Sequence, residues 1–196
     1  MRLRCPIHWA ILALVLAGIA RLGAQSPAPA ESHQFDFWLG EWQVIRPDGQ
    51  PAGTSRIESI AGGCGLLENW TGAAGGNGKS LNAWNSVRKQ WQQFWIGNDG
   101  SVLETAGGLD AQGRMVLTGE HATSAGTRVL DRIAWTPNPD GSIRQLWDQS
   151  TDAGQTWRVV FDGRYVRINR AKKVASADSG GGGNGIAERA PYSLLW

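Results

Sequence analysis

The chain has 196 residues, 41% of them hydrophobic, which is the scale of one domain with a real core. Its formal charge of +2 becomes −1 once Arg2, Arg4 and Arg21 near the N-terminus are set aside, so neither nucleic acid nor an acidic membrane surface is the expected partner. Eleven tryptophans and 27 glycines, set in short alternating runs, argue against a helical bundle and for strands joined by turns.

Residues 1–24 read as a cleavable export leader. Arg2 and Arg4 precede an apolar run from Trp9 to Ala20, and small residues before the expected cut after Ala24 complete the pattern. The run is shorter than the roughly 20 residues a spanning helix needs, so no stable membrane insertion is expected after cleavage. A periplasmic or extracellular location follows. Cys5 lies before the apolar run, where a lipoprotein cysteine would follow it. Losing Cys5 with the leader leaves Cys64 alone, so no intramolecular disulfide can staple the fold.

Residues 25–32 then read as a linker rich in Pro, Ala and Ser, and 33–170 as the folded domain. Ten strands are expected: Trp42–Arg46, Thr54–Ile60, Gly65–Thr71, Ser80–Ser86, Gln90–Ile96, Val102–Gly107, Arg114–His121, Thr127–Trp135, Ser142–Gln149 and Thr156–Ile168. Asp48-Gly49, Asn77-Gly78, Asp99-Gly100, Gln112-Gly113 and Asp140-Gly141 supply turn chemistry between them. No stretch of the domain has helical periodicity. The expected fold is therefore all-β: an up-and-down antiparallel meander closed into a barrel, with a sandwich as the other way to cover its edges. Residues 171–196, dominated by Gly180–Gly183, read as a disordered tail.

Phe35-Asp36-Phe37-Trp38-Leu39-Gly40-Glu41-Trp42 carries a Gly-x-Trp triplet at the start of the first strand. With the strand count and the late arginines, this resembles the calycin superfamily of lipocalins and fatty-acid-binding proteins. The longer string is also similar to the opening of a widespread group of secreted bacterial proteins thought to form such barrels. The resemblance extends from residue 35 to about 170, and it implies a fold more than an activity. It further implies that Trp42 closes the barrel base beside Gly40, and that a basic side chain of the last strand, Arg164 or Arg167, packs on the indole by a cation–π contact.

Ser150-x-Asp152-x-Gly154-x-Thr156-Trp157 matches the Asp-box of sialidases and other propellers at every spacing. A single copy in a chain without repeats reads as a hairpin brace, not as a glycosidase signature. Strand parity places Trp91, Gln93 and Trp95 on one face, and Gln145, Trp147 and Gln149 on one face of another strand. Trp70, Trp84, Trp91, Trp95 and Trp147 are the candidates to line a cavity, with Glu68 or His121 orienting a small apolar or amphipathic ligand. Ordinary core packing is the competing explanation for these rings.

No catalytic set and no metal-ligand cluster is expected. Glu120 and His121 are adjacent on a strand and point to opposite faces, as do Asp131 and Arg132. A hydrolase or isomerase would need inward carboxylates drawn from Glu68, Glu104, Glu120, Asp131 and Asp148. Nitrobindin-like calycins hold haem through a late histidine, which the last strand lacks. No cofactor is therefore expected, and His121 is the only internal candidate for haem. A packed structural or interaction domain is the remaining alternative.

Overall fold

Every second residue along the extended runs is withdrawn from solvent, as in Val129, Asp131, Ile133 and Trp135, and this alternation carries through to a closed sheet. A computed structural model describes residues 28–168. The leader at 1–24 and the tail at 171–196 lie outside the described residues. The ten strands are β1 (Gly40–Ile45), β2 (Pro51–Ile60), β3 (Gly65–Gly72), β4 (Asn77–Asn85), β5 (Gln90–Gly97), β6 (Val102–Leu109), β7 (Met115–Ala122), β8 (Arg128–Pro137), β9 (Ile143–Ser150) and β10 (Arg158–Arg167). Each pairs antiparallel with its sequence neighbour, and β1 also pairs with β10, so the meander is a closed barrel without a free edge.

Four of the five expected turn dipeptides do form turns, with Gly49, Gly100, Gly113 and Gly141 at φ between +73° and +86°. Asn77-Gly78 does not: it opens β4, and the chain reverses four residues earlier at 73–76 around Gly75. Gly78 is instead needed inside the strand, because the Trp95 ring lies directly over the place a Cβ would occupy. The segment read as linker also joins the fold in part. Ala30–His33 form a 3-10 turn, and Ser32 is buried with its hydroxyl donating to the Pro29 carbonyl at 2.7 Å.

The barrel has two unlike ends. At the base, where β1 begins and β10 ends, a second 3-10 turn (Asp36–Trp38) drives Phe35 and Trp38 into the lumen. Phe35 stacks on Trp38 at 4.9 Å and meets Trp135 and Trp91 edge-on at 5.1 and 5.6 Å. Trp42 donates its indole N–H to the Trp38 carbonyl at 2.9 Å. All five of these rings are fully buried, and each contributes about 1.5–3 kcal/mol of apolar burial. The base is a solid aromatic plug.

The Arg167 guanidinium, 4.3 Å from the Trp42 ring centroid, seals this end and donates to the Leu39 carbonyl at 3.0 Å. Arg164 does not take this role. It lies three residues away on the opposite face of β10, pairing with Asp140 and donating to Ser142 Oγ. Arg167 is opposite Trp42 in the β1–β10 ladder and shares parity with inward Tyr165, which decides between the two arginines. Gly40, at φ +132°, leaves room for the guanidinium, since a Cβ there would stand 2.5 Å from Arg167 Nη1.

Candidate binding site at the barrel mouth

The opposite end of the barrel is ringed by the turns at 46–50, 73–76, 98–101, 123–127 and 151–157. Inward positions here carry rings of another kind. Trp70, Trp95, Trp147 and Phe161 point inward yet are only partly buried. Trp70 meets Phe161 edge-on at 6.0 Å. Inward glycines lie beneath three of these rings: a Cβ at Gly53 would collide with Trp70, one at Gly78 with Trp95 and one at Gly163 with Phe161. The rings therefore lie against bare backbone along the wall, which spares the lumen the volume that a side chain beneath them would take.

Between rings and plug, the inner wall is polar. Thr105 Oγ1 donates to Gln93 Oε1 at 3.4 Å, Gln93 Nε2 to Asn82 Oδ1 at 2.8 Å and Asn82 Nδ2 to Ser80 Oγ at 2.9 Å. Ser80 Oγ then donates to Glu68 Oε2 at 2.9 Å, while Ser55 Oγ reaches Glu68 Oε1 from the other side at 2.8 Å. Five adjacent strands, β2 to β6, are thus bridged by one chain whose donors all run toward Glu68. Such a directed chain polarises each member in the same sense. Burial nevertheless pushes the Glu68 carboxyl up to about 7, against the lowering effect of its two hydroxyl partners. The Tyr165 phenol is held well above its ordinary value, first by burial and then by the Glu68 charge.

A second polar centre occupies the opposite wall. Asp131, fully buried on β8, accepts from Trp147 Nε1 at 2.8 Å and Gln149 Nε2 at 3.0 Å through one oxygen. His121 Nδ1 on β7 meets its other oxygen at 2.6 Å. With the carboxylate as acceptor, Nδ1 carries the proton, and Nε2 of the neutral ring is left as an acceptor. The imidazole is about one-third exposed (36%), and Nε2 makes no hydrogen bond among the described residues. Glu68 on β3 and Asp131 on β8 are five strands apart around the ten, so they face each other from opposite walls.

The five candidate tryptophans divide between the two ends. Trp70, Trp95 and Trp147 stand at the mouth. Trp84 and Trp91 are cross-strand partners at the base, 6.4 Å apart, and Trp91 donates to Gln34 Oε1 at 3.3 Å as part of the plug. An antiparallel strand carries its two ends to opposite rims, so Trp91 and Trp95 share a face without sharing a site. The candidate carboxylates divide too. Glu120 pairs with Arg128, Asp148 with Arg132 on the outer wall, and Glu104 is exposed, so only Glu68 and Asp131 remain inside. Glu104 borders an outer groove of about 400 Å³ with Leu81, Phe94 and Thr118.

Three features went unread in the sequence: the polar chain, the His121–Asp131 pair and Phe161. The signal for the first was present, because Glu68, Ser80 and Gln93 share strand parity with Trp70, Gly78 and Trp95.

Beside the mouth, the 151–157 turn is braced by its own side chains. Ser150 Oγ accepts from the Gly154 amide at 2.8 Å, and Asp152 accepts from the Thr156 amide and hydroxyl at 2.9 and 2.6 Å. Those bonds, the Thr156 hydroxyl first, hold the Asp152 carboxyl down at about 2. Gly154 sits at φ +88°, and Trp157 lies under Arg132 at 4.1 Å on the outer wall. Every group of the motif is engaged within the hairpin. Comparison with family models and with curated protein sequences found no match.

Proposed function

We propose that this chain is an exported, calycin-like barrel that binds a small amphipathic molecule through its open end. Trp70, Trp95, Trp147 and Phe161 would take the apolar part, and Glu68 and His121 would orient the polar part. The observation that carries this is the contrast along one lumen. A solid plug closes the base, while partly exposed rings stand at the mouth and two hydrogen-bonded carboxylates lie on the inner wall, one of them bonded to the Trp147 ring. A barrel packed only for stability gains little from such a wall, since burying polar groups costs free energy that their mutual hydrogen bonds at best offset. Wall rings with a few convergent polar groups are the usual make-up of a small-molecule site.

Export rests on the leader at 1–24, and the calycin-like assignment on Gly40, Trp42 and Arg167 together with the meander. The outer wall carries ion pairs such as Arg56–Glu58 and Arg144–Asp162, a surface suited to water and not to lipid. A second reading, an interaction domain, is favoured by the outer groove, where Leu81 and Phe94 are 49% and 39% exposed.

Native mass spectrometry and tryptophan fluorescence against a panel of small amphipathic molecules of positive, zero and negative charge, a fluorescent fatty acid included, test the proposal. Saturable one-to-one binding that is weakened by Trp95→Ala is expected. Absence of binding across all charge types overturns it.

A further inference from the structure

We infer that the mouth is built for an organic cation: an ammonium-bearing amphipathic molecule whose charge sits on Glu68 among the Trp70, Trp95 and Trp147 rings. This rests on the binding proposal above and deepens it by fixing the ligand's charge. The first ground is the distribution of cations. Among the described residues every lysine and arginine except Arg132 is exposed, and Arg132 is on the outer wall with Asp148 and Trp157. Among the described residues no guanidinium or ammonium enters the lumen above the Arg167 seal at the base. The inner wall instead carries two carboxylates, Glu68 and Asp131, and one imidazole.

The second ground is how those carboxylates are partnered. Asp131 is fully engaged by His121, Trp147 and Gln149. Glu68 has two neutral hydroxyls and, among the described residues, no cation, although it is almost wholly buried (4% exposed). Buried carboxylates in proteins are normally paired with a positive group, and the described residues supply none to Glu68. The upward shift of the Glu68 carboxyl by burial agrees with that missing partner. The titratable groups facing it across the lumen are Tyr165, Asp131 and His121, and of these only His121 can become positive; its Nδ1 is already held on Asp131.

The third ground is what the rings and acceptors select. Indole faces attract ammonium groups, most strongly where the cation is desolvated. Glu68 and the free His121 Nε2 are acceptors, suited to a ligand rich in N–H donors. A carboxylate ligand would meet two like charges in a low-dielectric lumen, which disfavours fatty acids here.

The test uses three probes sharing a phenyl ring and a short chain: phenethylammonium, 2-phenylethanol and 3-phenylpropionate, titrated at pH 8 into the intact protein and followed by fluorescence and calorimetry. The ammonium probe should bind about tenfold or more tighter than the alcohol, a factor worth ~1.4 kcal/mol, and the carboxylate should bind weakest. Glu68→Gln should cut the preference for the cation over the alcohol to about twofold, as expected when a charge pair is lost and shape is kept. The wild-type series needs no variant to fold. If the alcohol or carboxylate binds as tightly as the ammonium, the inference fails while the binding proposal stands. If none of the three binds, both fail.

Discussion

The two ends of this barrel are built from the same tryptophan-rich strands and do opposite things with them. At the base Trp42, Trp91 and Trp135 are fully buried against Phe35 and Trp38, each ring held by others. At the mouth Trp70, Trp95 and Trp147 rest on glycine backbone or on Asp131 and remain partly open to solvent. Ring content is therefore a poor guide to a pocket. What lies behind each ring decides: another ring makes a plug, a glycine makes a wall.

Stability measurements should separate the ends most strongly. Trp42→Ala removes a fully buried ring and the seat of Arg167, and a loss of about 3–5 kcal/mol is expected in urea unfolding. Trp95→Ala, at the mouth, should cost less than half of that, because the ring is only partly buried. Equal losses would erase the distinction between plug and wall.

The next largest effect belongs to Glu68. Its folded pKa is raised to about 7 from 4.5, so the folded state holds a proton that the unfolded chain has released. The contribution of Glu68 to stability should therefore be fully present below pH 4.5, decline as pH rises to about 7 and be lost above it. A shift of that size corresponds to about 3 kcal/mol. Glu68→Gln should flatten this component and be more stable than the parent at pH 8. A parent whose unfolding free energy does not fall over that window would place a compensating charge beside Glu68.

The smallest effect tests the seal. Arg167→Ala should lose about 1–2 kcal/mol through its contact with Trp42, whereas Arg164→Ala, which removes an exposed pair, should leave stability unchanged within error.

Much of this molecule was legible beforehand, for reasons that also explain what was not. Period-two alternation and Asp-Gly turns are local signals, so the ten strands could be read from short windows, with boundaries that differ from the structure by a few residues, whereas closure rests on the long-range pairing of β1 with β10. Asn77-Gly78 misled because its glycine answers to Trp95, which is distant in sequence. Parity places residues on a face but not at an end, so Trp84 and Trp91 looked equivalent to Trp70 and Trp95. Closer attention to register would have joined His121 to Asp131. The turn at 123–127 sets His121 opposite Val129, which leaves Asp131 on the diagonal of the same inner face. The polar chain on Glu68 was hidden by the habit of assigning Ser, Asn, Gln and Thr to the outside of a strand.

The most direct test follows the indole N–H resonances of the protein by NMR while phenethylammonium is added to saturation. The resonances of Trp70, Trp95 and Trp147 should move together along one binding curve, while those of Trp38, Trp42 and Trp135 stay in place. Movement of the base set, or no movement in either, would contradict a binding site at the mouth.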